Sequence, residues 1–349
     1  MSSMNLLDAG ILGLVEGITE YLPISSTGHL IITGALLKLD TPEMKSALNN
    51  FEIVIQGGAI LAVIGLYRTR VLSMLQGLIG KNPAGLRLFI NLVIAFLPSA
   101  ILGLLFHDWI DAHLFSTGPV LGALAWGGAY MIIVERFIRP RNVPSASLSV
   151  TQVSTTQPIA PGVALQETAQ TVRLSESLSA APDPIAAVSP LQALFIGCLQ
   201  CVALWPGTSR SMMTITGGYF IGLPAAAAAE FSFLLGLPTL SAACAYGLLK
   251  DFKNAHDTGS PTMFATLGTL NCLVGIAVAA ISAALAVKWL VGFLNRKGLT
   301  PFGIYRILLA IILGLLIYTN VVDLSSPTSL SPPAASTAPS LTPPDSSDR

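Results

Sequence analysis

The sequence predicts an all-α integral membrane protein built as two inverted repeats, each a re-entrant helical hairpin plus three transmembrane helices. Three observations lead there. The chain of 349 residues is 52% hydrophobic and 10% charged, whereas soluble domains carry about 25% charged residues. Uncharged apolar runs such as 88–106 and 262–287 approach or exceed the roughly 20 residues that cross a bilayer as a helix. Two further apolar stretches, 5–37 and 191–222, are each broken at the centre by a proline and a Ser/Thr cluster.

Full spans are expected at about 51–66, 88–106, 118–137, 225–249, 263–289 and 303–320. The broken stretches behave differently. Pro23 is followed by Ser25, Ser26 and Thr27, and Pro206 by Thr208, Ser209 and Ser211. Proline cannot continue a helix ladder, and hydroxyl side chains favour the N-cap. Each half is about 15 residues or fewer, roughly half a bilayer. Each stretch is therefore expected to fold back as helix, break, helix.

Charge sets the expected orientation. The 67–87 loop holds Arg68, Arg70, Lys81 and Arg87, the 138–144 stretch Arg139 and Arg141, and the 290–300 loop Arg296 and Lys297. The 107–117 loop holds Asp108 and Asp111 and no basic residue. Basic loops stay cytoplasmic, so the first hairpin enters from outside, the second from the cytoplasm, and both termini lie outside. The register agrees weakly: Ser26 and Ser209 each follow a proline by three, and Glu52 and Glu230 each precede a glycine by six. Opposed repeats with broken helices place a binding site where the breaks meet.

The expected domains are 1–143 as the first membrane repeat, 144–190 as a disordered cytoplasmic linker, 191–323 as the second repeat and 324–349 as a disordered tail. Linker and tail are rich in Ser, Thr, Ala and Pro and bury too little apolar surface to offset their ordering entropy. The N-terminus lacks a basic region, and Asp8, Glu16 and Glu20 interrupt its apolar run, so it is expected to remain in the mature protein.

Several classes are disfavoured. A net charge of +0 gives nucleic acid no electrostatic support. No phosphate loop of the GxxxxGK[ST] kind is present, which argues against nucleotide hydrolysis. Cys198 and Cys201 form a CxxC inside an apolar segment, and with Cys244 and Cys272 they are read as small buried packing residues rather than a redox or metal pair.

The chemistry gathers in two clusters. Glu16 and Glu20 share one helix face. At membrane depth they need a divalent cation, a held proton or a partner such as Arg210. Ser25, Ser26 and Thr27 open the next half-helix, whose first-turn N–H groups make an anion site. Any one of these serines can be a simple cap or, with a base nearby, a nucleophile. His29 lies three residues beyond Ser26, within reach along one face. In the second cluster Gly207 permits a tight turn, and Thr208 or Ser209 can cap the following half-helix. Ser211 and Thr214 follow. Arg210 offers a phosphate-binding fork, or else an ion pair with Glu16, Glu20 or Glu230. Facing each other, the clusters suit phosphoryl chemistry.

The segments EGITEYLPISSTGH at 16–29 and PGTSRSMMTITGG at 206–218 resemble the signature motifs of the undecaprenyl-diphosphatase (bacitracin-resistance) family. FEIVIQGGAILAV at 51–63, ALWPG at 203–207, EFSFLLGLP at 230–238 and PFGIYR at 301–306 extend the resemblance over nearly the whole membrane portion. It implies hydrolysis of undecaprenyl diphosphate to the monophosphate, recycling a cell-wall lipid carrier in the bacterial inner membrane, with a divalent cation, Mg²⁺ or Ca²⁺. By position it implies an acidic pair at Glu16 and Glu20, a nucleophilic serine at Ser26, the family histidine at His29 and a phosphate-binding arginine at Arg210. Ser25, Thr27, Ser209, Ser211 and Thr214 match its phosphate-cradling hydroxyls. Met212 and Met213 depart from the smaller residues often found there, which places the pocket wall in question.

The expected partners are a polyprenyl diphosphate lipid, the bilayer and a second copy of the chain, with no nucleic acid. The competing function is a polyprenyl-phosphate flippase or anion transporter, because broken helices meeting at midplane also suit transport.

Overall fold

The computed structural model describes residues 4–39, 42–114, 116–138 and 183–319. Residues 144–182 of the predicted linker and the whole 324–349 tail lie outside the described residues.

The described chain is helical throughout. Helix α1 (Leu6–Thr19) is closed at its start by a capping box between Asn5 and Asp8. Helices α2 (Ser26–Leu36), α3 (Pro42–Leu66), α4 (Arg68–Leu78), α5 (Pro83–Leu114) and α6 (Thr117–Phe137) follow. After the undescribed stretch come α7 (Pro190–Gln200), a 3-10 turn (Cys201–Leu204), α8 (Arg210–Phe220), α9 (Ala225–Thr258), the short α10 (Met263–Leu267), α11 (Thr269–Lys297) and α12 (Thr300–Tyr318).

Six of these are long and apolar enough to cross a bilayer, within α3, α5, α6, α9, α11 and α12. They coincide with the six predicted spans, and the chain is an all-α, multi-pass membrane protein. The boundaries differ in instructive ways. The 67–87 loop is mostly the amphipathic helix α4. The 107–117 loop is largely the end of α5, which runs on through Asp108 and Asp111 to Leu114. Charge alone does not stop a helix, and neither does an internal proline in these long apolar spans: α5 runs through Pro98 and α9 through Pro238. The predicted 263–289 span is cut at Gly268, φ +88°, into α10 and α11.

Both apolar stretches singled out in the sequence are broken. Helix α1 ends before Glu20 and α2 starts at Ser26. Helix α7 tightens into the 3-10 turn, and α8 starts at Arg210. Small residues set the packing of the leading helices, as is usual for helices in lipid. Gly13 of α1 lies against the backbone of Gly275 on α11, and Gly197 of α7 against the backbone of Ala95 on α5. A side chain at either place would collide with main chain.

The last residues of the predicted linker are packed. Ile185 and Val188 are buried, and Asn91 donates to the Val188 carbonyl at 2.8 Å. Arg70 on α4 pairs with Asp183 and with Glu230 of α9 at 2.8 Å. The hydrogen bond that Arg70 donates to Asp183 raises the Arg70 pKa against its own partial burial. Partial burial pushes the Asp183 carboxyl up, but Arg70 and the Ile185 N–H outweigh it and leave the pKa below the usual value.

The cysteines are free. Cys272 is buried as predicted, but Cys198 points outward from α7. Apolar faces in a membrane do not need burial against protein, so an exposed small residue is unpenalised there.

Candidate active site

The breaks between α1 and α2 and between α7 and α8 meet at one polar cavity of about 180 Å³. Glu20, Ser25, Ser26 and Thr27 line it from the first break, and Pro206, Gly207, Ser209 and Arg210 from the second. Gln56 of α3, Ala203 of the 3-10 turn and Leu240 of α9 complete the wall.

The local backbone explains why two helix starts can face one space. Ser25 caps α2 with φ 73° and ψ 101°, and Ser209 caps α8 with φ 78° and ψ 115°. Non-glycine residues at positive φ are uncommon and strained, costing about 1–3 kcal/mol, and gather at functional sites. Each serine hydroxyl accepts from the amide three residues on, Gly28 N at 3.4 Å and Met212 N at 3.3 Å. The first two amides of each helix have no intrahelical acceptor and carry the positive end of the helix dipole. Ahead of α8, Gly207 turns the chain at φ +94°.

Charges meet inside this frame. Arg210 reaches Glu20 Oε1 with Nη2 at 3.2 Å and Nε at 3.4 Å. Its Nη1 donates to the Ser232 carbonyl at 3.1 Å, and its guanidinium lies 5.7 Å from the centre of the Tyr21 ring. The Tyr21 hydroxyl is itself anchored to the Ala59 carbonyl at 2.9 Å. The other oxygen of Glu20 accepts from the Ser26 hydroxyl at 3.0 Å. One carboxylate therefore joins the arginine of the second break to a serine of the first. Among the ion pairs left open by the sequence, Arg210 takes Glu20; Glu230 is held by Arg70.

Glu16, one turn before Glu20, is fully buried, and neither of its carboxylate oxygens has a hydrogen-bond partner among the described residues. An unpartnered buried carboxylate is expensive in any apolar surround. It needs a proton or a cation.

Some predicted site residues stand back from the cavity. His29 does not reach Ser26. Its Nδ1 donates to the Ser25 carbonyl at 2.7 Å, and its Nε2 lies 2.7 Å from the Tyr305 hydroxyl, over a ring parallel to its own. The geometric reason is that a side chain on the first turn of a helix finds the carbonyl four residues back more readily than the hydroxyl three back. Ser211 donates to the Leu22 carbonyl at 3.0 Å, tying the two breaks together. Thr214 bonds the Arg210 carbonyl at 3.0 Å and Ser232 at 2.6 Å. The Thr208 hydroxyl is buried and has no partner among the described residues. Met212 and Met213 are buried in the core and do not line the cavity.

Sequence reasoning passed over Gln56, Ser232 and Tyr305, and most of all Arg306. Arg306 is fully buried and faces carbonyls: Leu124 and Ala123 on α6, and Gly207 and Thr208 in the second break, at 2.7 to 3.4 Å. It holds the turn that presents Arg210. Arginine inside an apolar run, in the PFGIYR segment, was the available signal.

Residues 9–312 match the family described as bacitracin resistance protein BacA. The chain is 42% identical over 302 residues to an undecaprenyl-diphosphatase of Sorangium cellulosum, covering 86% of this chain and 83% of that one. It is 39% identical to undecaprenyl-diphosphatase 2 of Rhodospirillum rubrum, covering 93% and 100%, and 35% identical to an undecaprenyl-diphosphatase of Geobacillus thermodenitrificans, covering 90% and 98%. With both signature segments at one cavity and the match running across the membrane helices, the chain belongs to the bacitracin resistance protein BacA family.

Proposed function

We propose that the protein hydrolyses undecaprenyl diphosphate to undecaprenyl phosphate and inorganic phosphate in the inner membrane. The observation that carries the reading is the chain of contacts Arg210–Glu20–Ser26 between two helix N-termini at one cavity. Two N-termini and a guanidinium favour an anion strongly, and the serine already donates to a carboxylate.

In this reading Arg210 turns from Glu20 toward the phosphates and shares them with the first-turn amides of α2 and α8. Ser25, Thr27 and Ser209 hydroxyls border the same space. Glu20 takes the proton of Ser26 as its oxygen bonds to the terminal phosphorus and the bridging P–O bond breaks, releasing undecaprenyl phosphate. Water then cleaves the phosphoserine, giving inorganic phosphate and returning the proton to Ser26. His29 positions the first cradle by holding the Ser25 carbonyl. The direct rival is attack by water activated by Glu20. The donor set also suits a divalent cation: Glu16 has two unpartnered oxygens, Glu20 lies one turn away, and magnesium or calcium prefers oxygen ligands. The chemistry such a cation supplies when bound is neutralisation of diphosphate charge.

The arrangement of the halves is part of the proposal. Residues 1–143 and 191–323 form inverted repeats around the cavity, joined by a cytoplasmic linker. Matching caps at Ser25 and Ser209 support this, as does the reciprocal packing of α1 on α11 and α7 on α5. The loop charges favour a cavity open to the outer side. A homodimer is the proposed assembly, checked by light scattering in nanodiscs.

The test is phosphate release from undecaprenyl diphosphate by purified protein, with and without magnesium or calcium. Cation-dependent release is expected, reduced about 10²–10³-fold or more by Arg210→Ala, as for loss of a charge-stabilising donor. Near-normal turnover by Ser26→Ala would remove the serine route and leave water attack. No release under any cation by folded protein would favour the flippase, to be followed by lipid flux in liposomes.

A further inference from the structure

Beside the polar cavity lies a second, larger space of about 440 Å³ that the catalytic reading does not use. It is a groove between the second half of α5 and the 3-10 turn. Its volume falls in the roughly 300–1,000 Å³ range of small-molecule sites. Leu102, Phe106 and Ile110 recur every four residues and present one face of α5 to it, opposite Val202, Leu204 and Trp205.

The two spaces share a wall. Along 202–206 the chain alternates: Val202, Leu204 and Trp205 line the groove, while Ala203 and Pro206 line the polar cavity. An amphiphile with an anionic head and a hydrocarbon tail fits such a pair of neighbouring spaces, one for each end. Trp205 is the residue at the divide. Its indole N–H donates to the Pro119 carbonyl at 3.0 Å, and Trp126 lies nearly parallel, 18° apart with centroids at 6.5 Å. With its only donor engaged, the ring presents hydrocarbon to the groove. Its own carbonyl accepts from Thr208 N at 3.1 Å, so the same residue sets the turn that leads to Ser209 and Arg210.

We infer that this groove receives the first part of the substrate's prenyl chain, and that Trp205 fixes where the diphosphate stops relative to Ser26 and Arg210. The inference rests on the phosphatase reading for its substrate. The groove is too small for a whole polyprenyl chain, so the remaining units lie among bilayer hydrocarbon. The enzyme therefore senses only the diphosphate-proximal units: KM falls as the chain lengthens until the groove is full, then levels off.

The experiment uses farnesyl diphosphate carrying a benzophenone at its far end, irradiated with wild-type protein in phosphatidylglycerol nanodiscs. Crosslinks are expected on residues 102–114 or 201–205 and are expected to disappear with excess undecaprenyl phosphate. The Ile110→Trp variant fills the groove. It is expected to lose these crosslinks and to raise KM for farnesyl diphosphate about tenfold relative to dimethylallyl diphosphate, the equivalent of one or two buried methylenes. Crosslinks on other helices, or crosslinks that excess undecaprenyl phosphate leaves in place, overturn the inference. So does an equal KM change for both diphosphates in folded Ile110→Trp. If that variant does not fold, the wild-type crosslinks decide. Groove crosslinks without phosphate release refute the phosphatase reading and leave the groove intact; release with crosslinks elsewhere does the reverse.

Discussion

The break between α1 and α2 and the break between α7 and α8 share a backbone design. Each ends in a serine N-cap at φ 73° or 78° whose hydroxyl takes the amide three residues on. They differ in what holds them. The first carries the acids and is held by single side-chain contacts, Tyr21 on the Ala59 carbonyl, His29 on the Ser25 carbonyl, Ser26 on Glu20 and Ser211 on the Leu22 carbonyl. The second carries the cation Arg210, and its turn is clamped from outside by the buried Arg306, which donates to the Gly207 and Thr208 carbonyls, and tied to Pro119 through the Trp205 indole. A free arginine fork swings on a long stem, so its position is only as definite as the turn beneath it. A short serine and glutamate on adjoining turns need less support. The comparison suggests a division of labour: the first break performs proton and nucleophile chemistry, and the second is a rigid holder for positive charge.

The largest test of that division is Arg306→Met. It removes a buried charge that no acid among the described residues pairs with, and it leaves the Gly207 and Thr208 carbonyls without the guanidinium donors that now hold them. Each orphaned carbonyl costs about 1–3 kcal/mol. Thermal unfolding in detergent is expected several degrees lower, and kcat is expected to fall although Arg306 does not line the cavity. If stability falls while kcat per folded molecule is unchanged, the clamp does not serve Arg210 and the division fails.

A smaller effect separates cap from chemistry. Ser25→Gly and Ser209→Gly each relieve a positive φ that costs about 1–3 kcal/mol for a side-chain-bearing residue, while loss of the cap to glycine costs only a few tenths. Both variants are expected to be equal to or more stable than wild type by about 1 kcal/mol. Both are expected to turn over more slowly, since a hydroxyl leaves the cavity wall. Serine to alanine keeps the strain and loses the cap, so it is expected to destabilise by about 1 kcal/mol. Glycine variants less stable than their alanine counterparts would show that the strain is not stored there.

How far the sequence shows this molecule depends on the range of the interaction. The six spans are legible because twenty apolar residues in a row have few other uses, and both breaks because proline and a Ser/Thr cluster act locally. Helix α4 escaped, since its charges resemble a loop until Met74 and Gly77 are seen to be buried. At the site, Glu20, Ser26 and Arg210 stand in recognisable motifs, but their connection does not: Glu20 and Arg210 are 190 residues apart. Spacing suggested His29 for Ser26, and the fold supplied Glu20 instead. Ser232 and Gln56 reach the site from other helices with no local signal, and the arginine in PFGIYR marks Arg306 as unusual without showing which turn it holds.

The smallest expected effect lies away from the cavity, where the chain returns from the undescribed stretch. Arg70 joins Asp183 to Glu230 of α9, and all three side chains are about one-fifth to one-third exposed. Exposed pairs contribute about 0.2–1 kcal/mol once solvent screening is counted, so Asp183→Asn is expected to lower stability by that amount and to leave turnover unchanged. The pH dependence has a definite sign. The Asp183 carboxyl is held below its usual value by Arg70 and backbone amides despite its partial burial. Its contribution is therefore complete above the usual aspartate range near pH 4 and is lost as pH falls through the lowered value. Unfolding of wild type and Asp183→Asn, compared from neutral pH downward, should converge only in that acid range. Convergence near neutral pH would mean that the contact to Arg70 does not depend on the carboxylate charge. A loss of turnover in Asp183→Asn would tie this clasp to the catalytic break through Glu230 and α9, and would sharpen the contrast between the two halves rather than leave it at the cavity.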